Sequence, residues 1–201
     1  QRDERMPWLG DRATGCLGES FIFDNNLLYA KWLQDIEDSQ RENGSLSDVA
    51  PNYWQFYSDN ITWPAAYIFV ANMLYDQRGD TLPIVQHYPA MKKWLDYMKT
   101  AYMKNYLMEK DVYGDWCMPP ERLDLIHSQD PNRKTDGTLL ATSFHYHLLE
   151  LMAKFARISG NQQDVTEFIR LAENVKKAYN DKFLDKNKGQ YGNNTVTANL
   201  V

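Results

Sequence analysis

Residues 62–80 read TWPAAYIFVANMLYDQRGD, and this stretch decides the fold class. Thr62 and Pro64 are the residue types found where helices begin, and Gly79 is the type that ends them. Between them, apolar side chains occupy nearly the whole circumference of a helix rather than one stripe. A helix of that kind is covered on most sides, so the stretch predicts a heavily buried helix over residues 63–78.

Apolar residues at helical spacing predict further helices before and after this one. The predicted segments are about 11–18, 24–40, 81–102 (with a bend before Pro89), 138–158 and 162–183. The stripes expected to face the core are Leu27, Ala30, Leu33 and Ile36 in the second segment and Met91, Trp94, Leu95 and Met98 in the third. Strand-like alternation is essentially absent, which predicts an all-α protein.

The connections between these helices alternate between short and long. Residues 79–80 and 159–161 are tight turns, whereas about 41–61, 105–137 and 185–195 are long connections. If successive helices run up and down, the long connections and the N-terminal segment all lie on the same face. Connections longer than roughly 12–15 residues in a compact domain are usually functional or disordered. These contain many aromatic residues and prolines, so we expect ordered loops.

The length, charge and composition of the chain exclude several classes of protein. The chain has 201 residues and a formal charge of −5. Aromatic residues make up 13% of it, and such side chains suit both a core and the binding of sugars. The acidic balance argues against a nucleic-acid partner, and no apolar run approaches the ~18 residues that a membrane span needs. Cys16 and Cys117 form neither a disulfide framework nor a zinc motif. His145 and His147 point apart on a helix, so no metal or other cofactor is predicted.

The first eleven residues, QRDERMPWLGD, place Asp3, Glu4 and Asp11 around arginines and Trp8. Such a stretch is usually an ion-paired surface loop. Here, however, it is expected on the face that carries the long aromatic connections. Rigid helices that present a site through loops are typical of binding and catalytic proteins.

This segment resembles the catalytic signature of the inverting α-L-rhamnosidases, D-C-P-Q-R-D-E-R-x-G-W-x-G-D, although Pro7 replaces the usual glycine. Stretches similar in kind and order are KWLQDIEDSQ (31–40), YDQRGD (75–80), HYPAMKKWLDYM (87–98), YGDW (113–116) and KAYNDKF (177–183). The resemblance implies an (α/α)6 toroid, of which residues 1–201 are the N-terminal portion, about half the ring, with no second domain. A half-ring would expose the inner faces of helices such as 63–78.

The resemblance also implies roles for single residues. Glu4 would be the general acid. By the same resemblance, Arg2 and Asp11 would hydrogen-bond sugar hydroxyls, and Trp8 would form a wall of the subsite. Asp3 would support the acid. Trp63 and Trp116 are candidates for the remaining wall. Core packing is the alternative for each tryptophan, and loop ion pairs are the expectation for Asp115 and Glu121. The family's general base is a downstream glutamate with no counterpart here, so the segment alone is expected to be inactive.

The implied partners are a rhamnoside substrate and the remainder of the same catalytic domain. That substrate favours a periplasmic or extracellular location, which the sequence itself does not indicate. Two alternatives stay open: an (α/α)6 glycosidase for a different sugar, and a helical domain that binds rhamnosides without cleaving them. A repeat solenoid would need a constant period and short loops throughout, and neither is present.

Overall fold

A computed structural model describes residues 3, 5–115 and 117–201. The regular secondary structure of this part of the chain is helical apart from two small hairpins, so the all-α prediction is confirmed. The helices are α1 Leu9–Ser20, α2 Asn26–Asp38, α3 Ala66–Arg78, α4 Leu82–Tyr102, α5 Gly137–Ile158, α6 Gln162–Phe183 and α7 Val196–Leu200, with a 3-10 turn at Pro131–Arg133. Strands β1 Met103–Lys104 and β2 Leu107–Met108 pair antiparallel, as do β3 Leu184–Asp185 and β4 Gln190–Tyr191.

Helix α3 is the buried helix that residues 62–80 predict. It begins at Ala66, after a turn that holds Trp63, and ends at Gly79, whose φ of +69° suits glycine. Helices α1, α2, α4 and α5 all pack against it. The expectation that a half-ring exposes the inner face of this segment is therefore wrong, because four neighbouring helices already cover α3.

The stripe predicted for the second helix is only partly right. Leu33 and Ile36 are buried, but Leu27 is 88% exposed. Tyr29 takes its place in the core, and its hydroxyl donates a hydrogen bond of 2.5 Å to Glu19 Oε2. The spacing i, i+4, i+7 from residue 29 forms an apolar stripe, and Leu27 lies off that stripe.

Helices α4, α5 and α6 agree closely with the sequence prediction. The whole stripe from Met91 to Met98 is buried, and α4 continues through Pro89 as a single helix. Helix α5 begins where the Asp136 carboxylate accepts a hydrogen bond of 2.9 Å from the Leu139 amide. This side-chain cap satisfies a backbone donor that the first turn of a helix leaves unpaired.

The long connections meet on one face, as the up-and-down arrangement predicts. The Leu9 amide donates to the Asp48 carbonyl at 2.9 Å, and the Ile61 amide donates to the Lys110 carbonyl at 3.4 Å. We call this end of the helices the loop face. Among the described residues, no helix has the length and hydrophobicity that a membrane crossing requires.

Candidate functional site

The N-terminal segment is fixed to the loop face by backbone pairing. The Ala50 amide donates to the Pro7 carbonyl at 3.1 Å, and Trp8 forms an isolated antiparallel bridge with Val49. Proline fits here because the bridge uses its carbonyl and not an amide hydrogen. The pairing fixes the backbone position of Trp8 at the start of α1.

The Trp8 side chain is half-buried and stacks on Phe56 of the 41–61 connection. The two ring centroids are 5.7 Å apart and the planes are inclined by 23°. Asp11 follows in the first turn of α1 and is exposed, and Asp3 is exposed as well. An indole and a carboxylate therefore project from the same end of one helix.

Trp63 packs against the same end of α1, at Gly10. A β-carbon on Gly10 would lie 2.4 Å from Trp63 Cε2, so the indole approaches the helix where no side chain intervenes. Tyr113 packs on Trp63 with the ring centroids 4.3 Å apart. The structure thus brings Trp8, Asp11 and Trp63 together at the N-terminus of α1.

Asp111 ties the Trp63 turn to the 105–137 connection. Its buried carboxylate accepts hydrogen bonds from the Thr62 hydroxyl at 2.8 Å and from the Gly114 amide at 3.0 Å. Burial raises the pKa of Asp111, and these hydrogen bonds to the charged form oppose the rise. One carboxylate therefore connects the residue before Trp63 to the segment that leads into Trp116.

Asp48 is a second buried carboxylate of the loop face, and it adjoins the Trp8–Val49 bridge. Its Oδ2 accepts a hydrogen bond from the Ser58 amide at 3.2 Å and a long one from the Tyr113 hydroxyl at 3.4 Å. Its Oδ1 is buried without a hydrogen-bond partner. Burial raises the pKa of Asp48, and the hydrogen bonds from Ser58 and Tyr113 to the charged form oppose the rise.

Two further acidic residues hold the 105–137 connection in shape. Asp115 accepts hydrogen bonds from the Thr135 amide at 3.1 Å, the Thr135 hydroxyl, and the Thr197 hydroxyl at 2.8 Å. Glu121 pairs with Arg133 at 3.3 Å. Hydrogen bonds, the first of them from the Ser128 hydroxyl, lower the pKa of Glu121 to about 2. The expected loop ion pair thus occurs at Glu121, whereas Asp115 bonds to threonines instead.

The structure brings some of the predicted site residues together and leaves others apart or outside the described residues. Trp8, Asp11 and Trp63 converge, and Asp3 is an exposed residue in a turn. Arg2, Glu4 and Trp116 lie outside the described residues. Sequence reasoning missed the buried acids and their aromatic neighbours on the loop face, which are Asp48, Asp111, Phe56 and Tyr113. The only available signal was the aspartate of DVYG, a residue type that hydrogen-bonds the backbone of its own turn.

Histidine and acidic side chains do not assemble into a metal centre in the described ranges. No group of three or more His, Cys, Asp or Glu residues there is close enough to hold an ion. His145 is completely buried, whereas His147 is exposed on the same helix. The two imidazoles of the His-x-His pair therefore occupy different environments.

Packed helices that gather aromatic and carboxylate side chains on one loop face are typical of the six-hairpin glycosidase class. The chain belongs to the family of the bacterial α-L-rhamnosidase six-hairpin glycosidase domain, whose model matches residues 1–201.

Individual relatives agree with this assignment. An α-L-rhamnosidase of Formosa agariphila is 27% identical over 203 residues, covering 100% of this chain and 21% of that protein. The α-L-rhamnosidase structure from Dictyoglumus thermophilum is 38% identical with a TM-score of 0.80, over 92% of this chain and 20% of that one. The structure of the Streptomyces avermitilis α-L-rhamnosidase complexed with L-rhamnose is 25% identical with a TM-score of 0.84. The match covers 98% of this chain and 18% of that one. The chain spans about a fifth of the length of these relatives.

Proposed function

We propose that the full-length polypeptide containing this sequence removes terminal α-L-rhamnose from rhamnosides or polysaccharides by an inverting, two-carboxylate mechanism. The observation that carries the proposal is the convergence of Trp8, Asp11 and Trp63 at the N-terminus of α1. This cluster directly follows the QRDER segment, in a chain whose whole length matches the rhamnosidase domain family.

In this proposal Glu4 is the general acid, which protonates the glycosidic oxygen as the bond to C1 breaks. A second carboxylate removes a proton from water on the opposite face of the sugar, and in inverting enzymes the two groups are about 6.5–9.5 Å apart. We place that general base outside this sequence. An acid that works near neutral pH needs a raised pKa, which Asp3 and Asp11 favour and Arg2 opposes.

The sugar-binding part of the proposal uses aromatic walls with a few polar groups. Rhamnose carries a methyl group at C5, so one face and edge of the ring suit the indoles of Trp8 and Trp63, joined by Trp116. Arg2 and Asp11 then hydrogen-bond the hydroxyl groups, and Asp3 supports Glu4. The exposed carboxylate of Asp11 and the half-buried rings of Trp8 and Trp63 suit such contacts.

We further propose that residues 1–201 form the N-terminal portion of one (α/α)6 catalytic domain, without a second domain in this range. The remaining part of that domain would supply the general base and complete the substrate site. The segment expressed alone is therefore expected to lack rhamnosidase activity.

The test is hydrolysis of an aryl α-L-rhamnoside by the full-length polypeptide, beside a panel of other aryl glycosides. Glu4→Gln should lower kcat by several orders of magnitude while rhamnose binding is retained, because the amide cannot donate the proton. Asp181→Asn is the matched control, since Asp181 is an exposed carboxylate on α6 that pairs with Lys177. Release of β-L-rhamnose as the first product, observed by NMR, would support inversion.

The other outcomes separate the two competing functions. Cleavage of a different sugar with no action on rhamnosides would assign the domain to another glycosidase specificity. Rhamnoside binding without cleavage of any substrate would make the cluster a sugar-binding site, and the catalytic role of Glu4 would then be wrong.

A further inference from the structure

The loop of residues 51–57, which we call the aromatic loop, exposes an unusual amount of ring surface. Tyr53 is 81% exposed, Trp54 is 56% exposed and Phe56 is 44% exposed. Scattered apolar residues on a surface need no explanation, but contiguous ones mark places where ligands or partners bind. Tyr53 and Trp54 contact each other edge-on, so their exposed rings form such a place.

The aromatic loop is held in one shape by partly buried polar contacts. The Asn52 amide group donates to the Tyr57 hydroxyl at 2.6 Å, and that hydroxyl donates to the Ser39 carbonyl at 2.6 Å. The Arg41 guanidinium lies 3.4 Å from the centroid of the Tyr57 ring. Both ends of the loop are therefore anchored to the end of α2, and the exposed rings are presented on a fixed backbone.

One ring of the aromatic loop contacts Trp8 directly. Phe56 stacks on Trp8, with the centroids 5.7 Å apart. Two residues earlier, Trp54 is held by an edge-on contact with Tyr53, whose ring centroid lies 4.9 Å away at an angle of 88°. The loop thus adds exposed aromatic surface beside a residue proposed to wall the rhamnose subsite.

The proposed role of Glu4 as general acid indicates which part of a substrate would meet this surface. A general acid donates its proton to the oxygen that joins rhamnose to the leaving group. The leaving group must therefore lie beside the N-terminal segment that carries Glu4 and Trp8. The aromatic loop is the neighbour of that segment through the Phe56–Trp8 stack.

We propose that Trp54, together with Tyr53 and Phe56, forms a subsite for the leaving group, and that its occupant is a neutral pyranose ring linked to rhamnose. This inference rests on the proposed function. An indole offers a flat apolar face to the C–H groups of a pyranose, and the tyrosine hydroxyl adds a polar contact at its edge. Residues 51–58, PNYWQFYS, contain no charged side chain, and the neighbouring Arg41 guanidinium is stacked on the Tyr57 ring, which favours a neutral sugar over a uronic acid.

The test compares three rhamnosyl substrates that differ only in the leaving group. They are a rhamnosyl-glucose disaccharide, 4-nitrophenyl α-L-rhamnoside, and α-L-rhamnosyl fluoride, whose leaving group has no ring. In the full-length polypeptide, Trp54→Ala should lower kcat/KM for the disaccharide by about tenfold, mainly through KM, because the contact is made equally in the ground and transition states. Hydrolysis of the fluoride should stay within about twofold of wild type.

Two further variants control for folding and for the nature of the contact. Trp54→Phe keeps a ring and should retain most of the disaccharide activity. Phe21→Ala removes another exposed ring, 73% exposed at the end of α1, and should leave all three substrates unchanged.

Each other outcome has a definite meaning. Equal losses on the disaccharide and the fluoride, or no loss on either, would overturn the leaving-group subsite while the proposed function stands. A loss confined to the nitrophenyl substrate would overturn the pyranose as occupant in favour of an aromatic aglycone. If wild type hydrolyses none of the three, the proposed function fails and this inference fails with it.

Discussion

The indole of Trp63 lies directly against the backbone of Gly10, at a place where a β-carbon would come within 2.4 Å of Trp63 Cε2. Glycine is therefore required at this position by close approach and not by backbone conformation. The contact matters because it joins the end of α1 to the turn before α3. It also fixes the distance between the two tryptophans of the candidate site.

Gly10→Ala should destabilise the domain and displace Trp63. Overpacking of a well-packed site costs about 1–3 kcal/mol, whereas alanine gains only about 1 kcal/mol over glycine in helix propensity. We expect a net decrease of up to about 2 kcal/mol in the free energy of unfolding, together with a higher KM for rhamnosides. Urea unfolding, monitored by tryptophan fluorescence, measures the change in the free energy of unfolding.

Gly18→Ala is the matched control for this prediction. Gly18 lies in the same helix, and a β-carbon there would meet no atom within 4 Å. This variant should stabilise the domain by roughly 0.5–1 kcal/mol, because only the propensity difference acts. Equal effects at the two glycines would show that the Trp63 contact does not constrain Gly10.

The Thr62–Asp111 hydrogen bond should be energetically coupled to the rest of the loop face. Asp111→Asn replaces one carboxylate oxygen with an NH2 donor, so the Thr62 hydroxyl and the Gly114 amide can no longer each donate to a separate oxygen. We expect this variant and Thr62→Val each to lower the free energy of unfolding by about 1–3 kcal/mol. The double variant should lose less than the sum of the single losses.

A double-mutant cycle measures that coupling, and a coupling of about 0.5 kcal/mol or more is expected for residues in direct contact. Thr62→Ser keeps the hydroxyl and should leave most of the hydrogen bond intact. Strict additivity of the two single variants would contradict the assignment of Asp111 as the link between the two connections.

The helices could be predicted from the sequence because their signals are local. Gly79 ends α3, and the apolar stripe from Met91 to Met98 identifies the buried face of α4. Leu27 and Tyr29 show where this reasoning fails. Tyr29 lies on the buried stripe and Leu27 lies off it, but the Tyr29 hydroxyl also bonds to the Glu19 carboxylate of another helix, a contact that no local pattern reveals.

Some residues of the candidate site could likewise be predicted from the sequence, and others could not. Trp8 and Asp11 could be selected because they belong to a contiguous signature with a recognisable spacing. Asp48 and Asp111 could not, because a buried aspartate and a solvated one look identical in the sequence. Their importance comes from contacts with Ser58 and Thr62, which the folding of separate connections brings within hydrogen-bond distance.

His145 should make the stability of the domain depend on pH in the acid range. It is completely buried, both ring nitrogens are without hydrogen-bond partners, and burial lowers its pKa from 6.5 to about 4. Between these two values the unfolded chain binds a proton that the folded chain does not, so stability falls as the pH decreases from about 6.5 towards 4. At 1.36 kcal/mol for each pKa unit, the loss attributable to this residue is roughly 3 kcal/mol.

His145→Leu should remove this part of the pH dependence and leave stability at pH 7 unchanged or higher, because no hydrogen bond is lost and an apolar side chain replaces an unpaired polar one. Urea unfolding at intervals from pH 7 to pH 4 gives the two curves to compare. His147→Gln, an exposed position on the same helix, should leave the wild-type slope intact. A variant at residue 145 that keeps the full acid-range loss would show that the burial of His145 is not its origin.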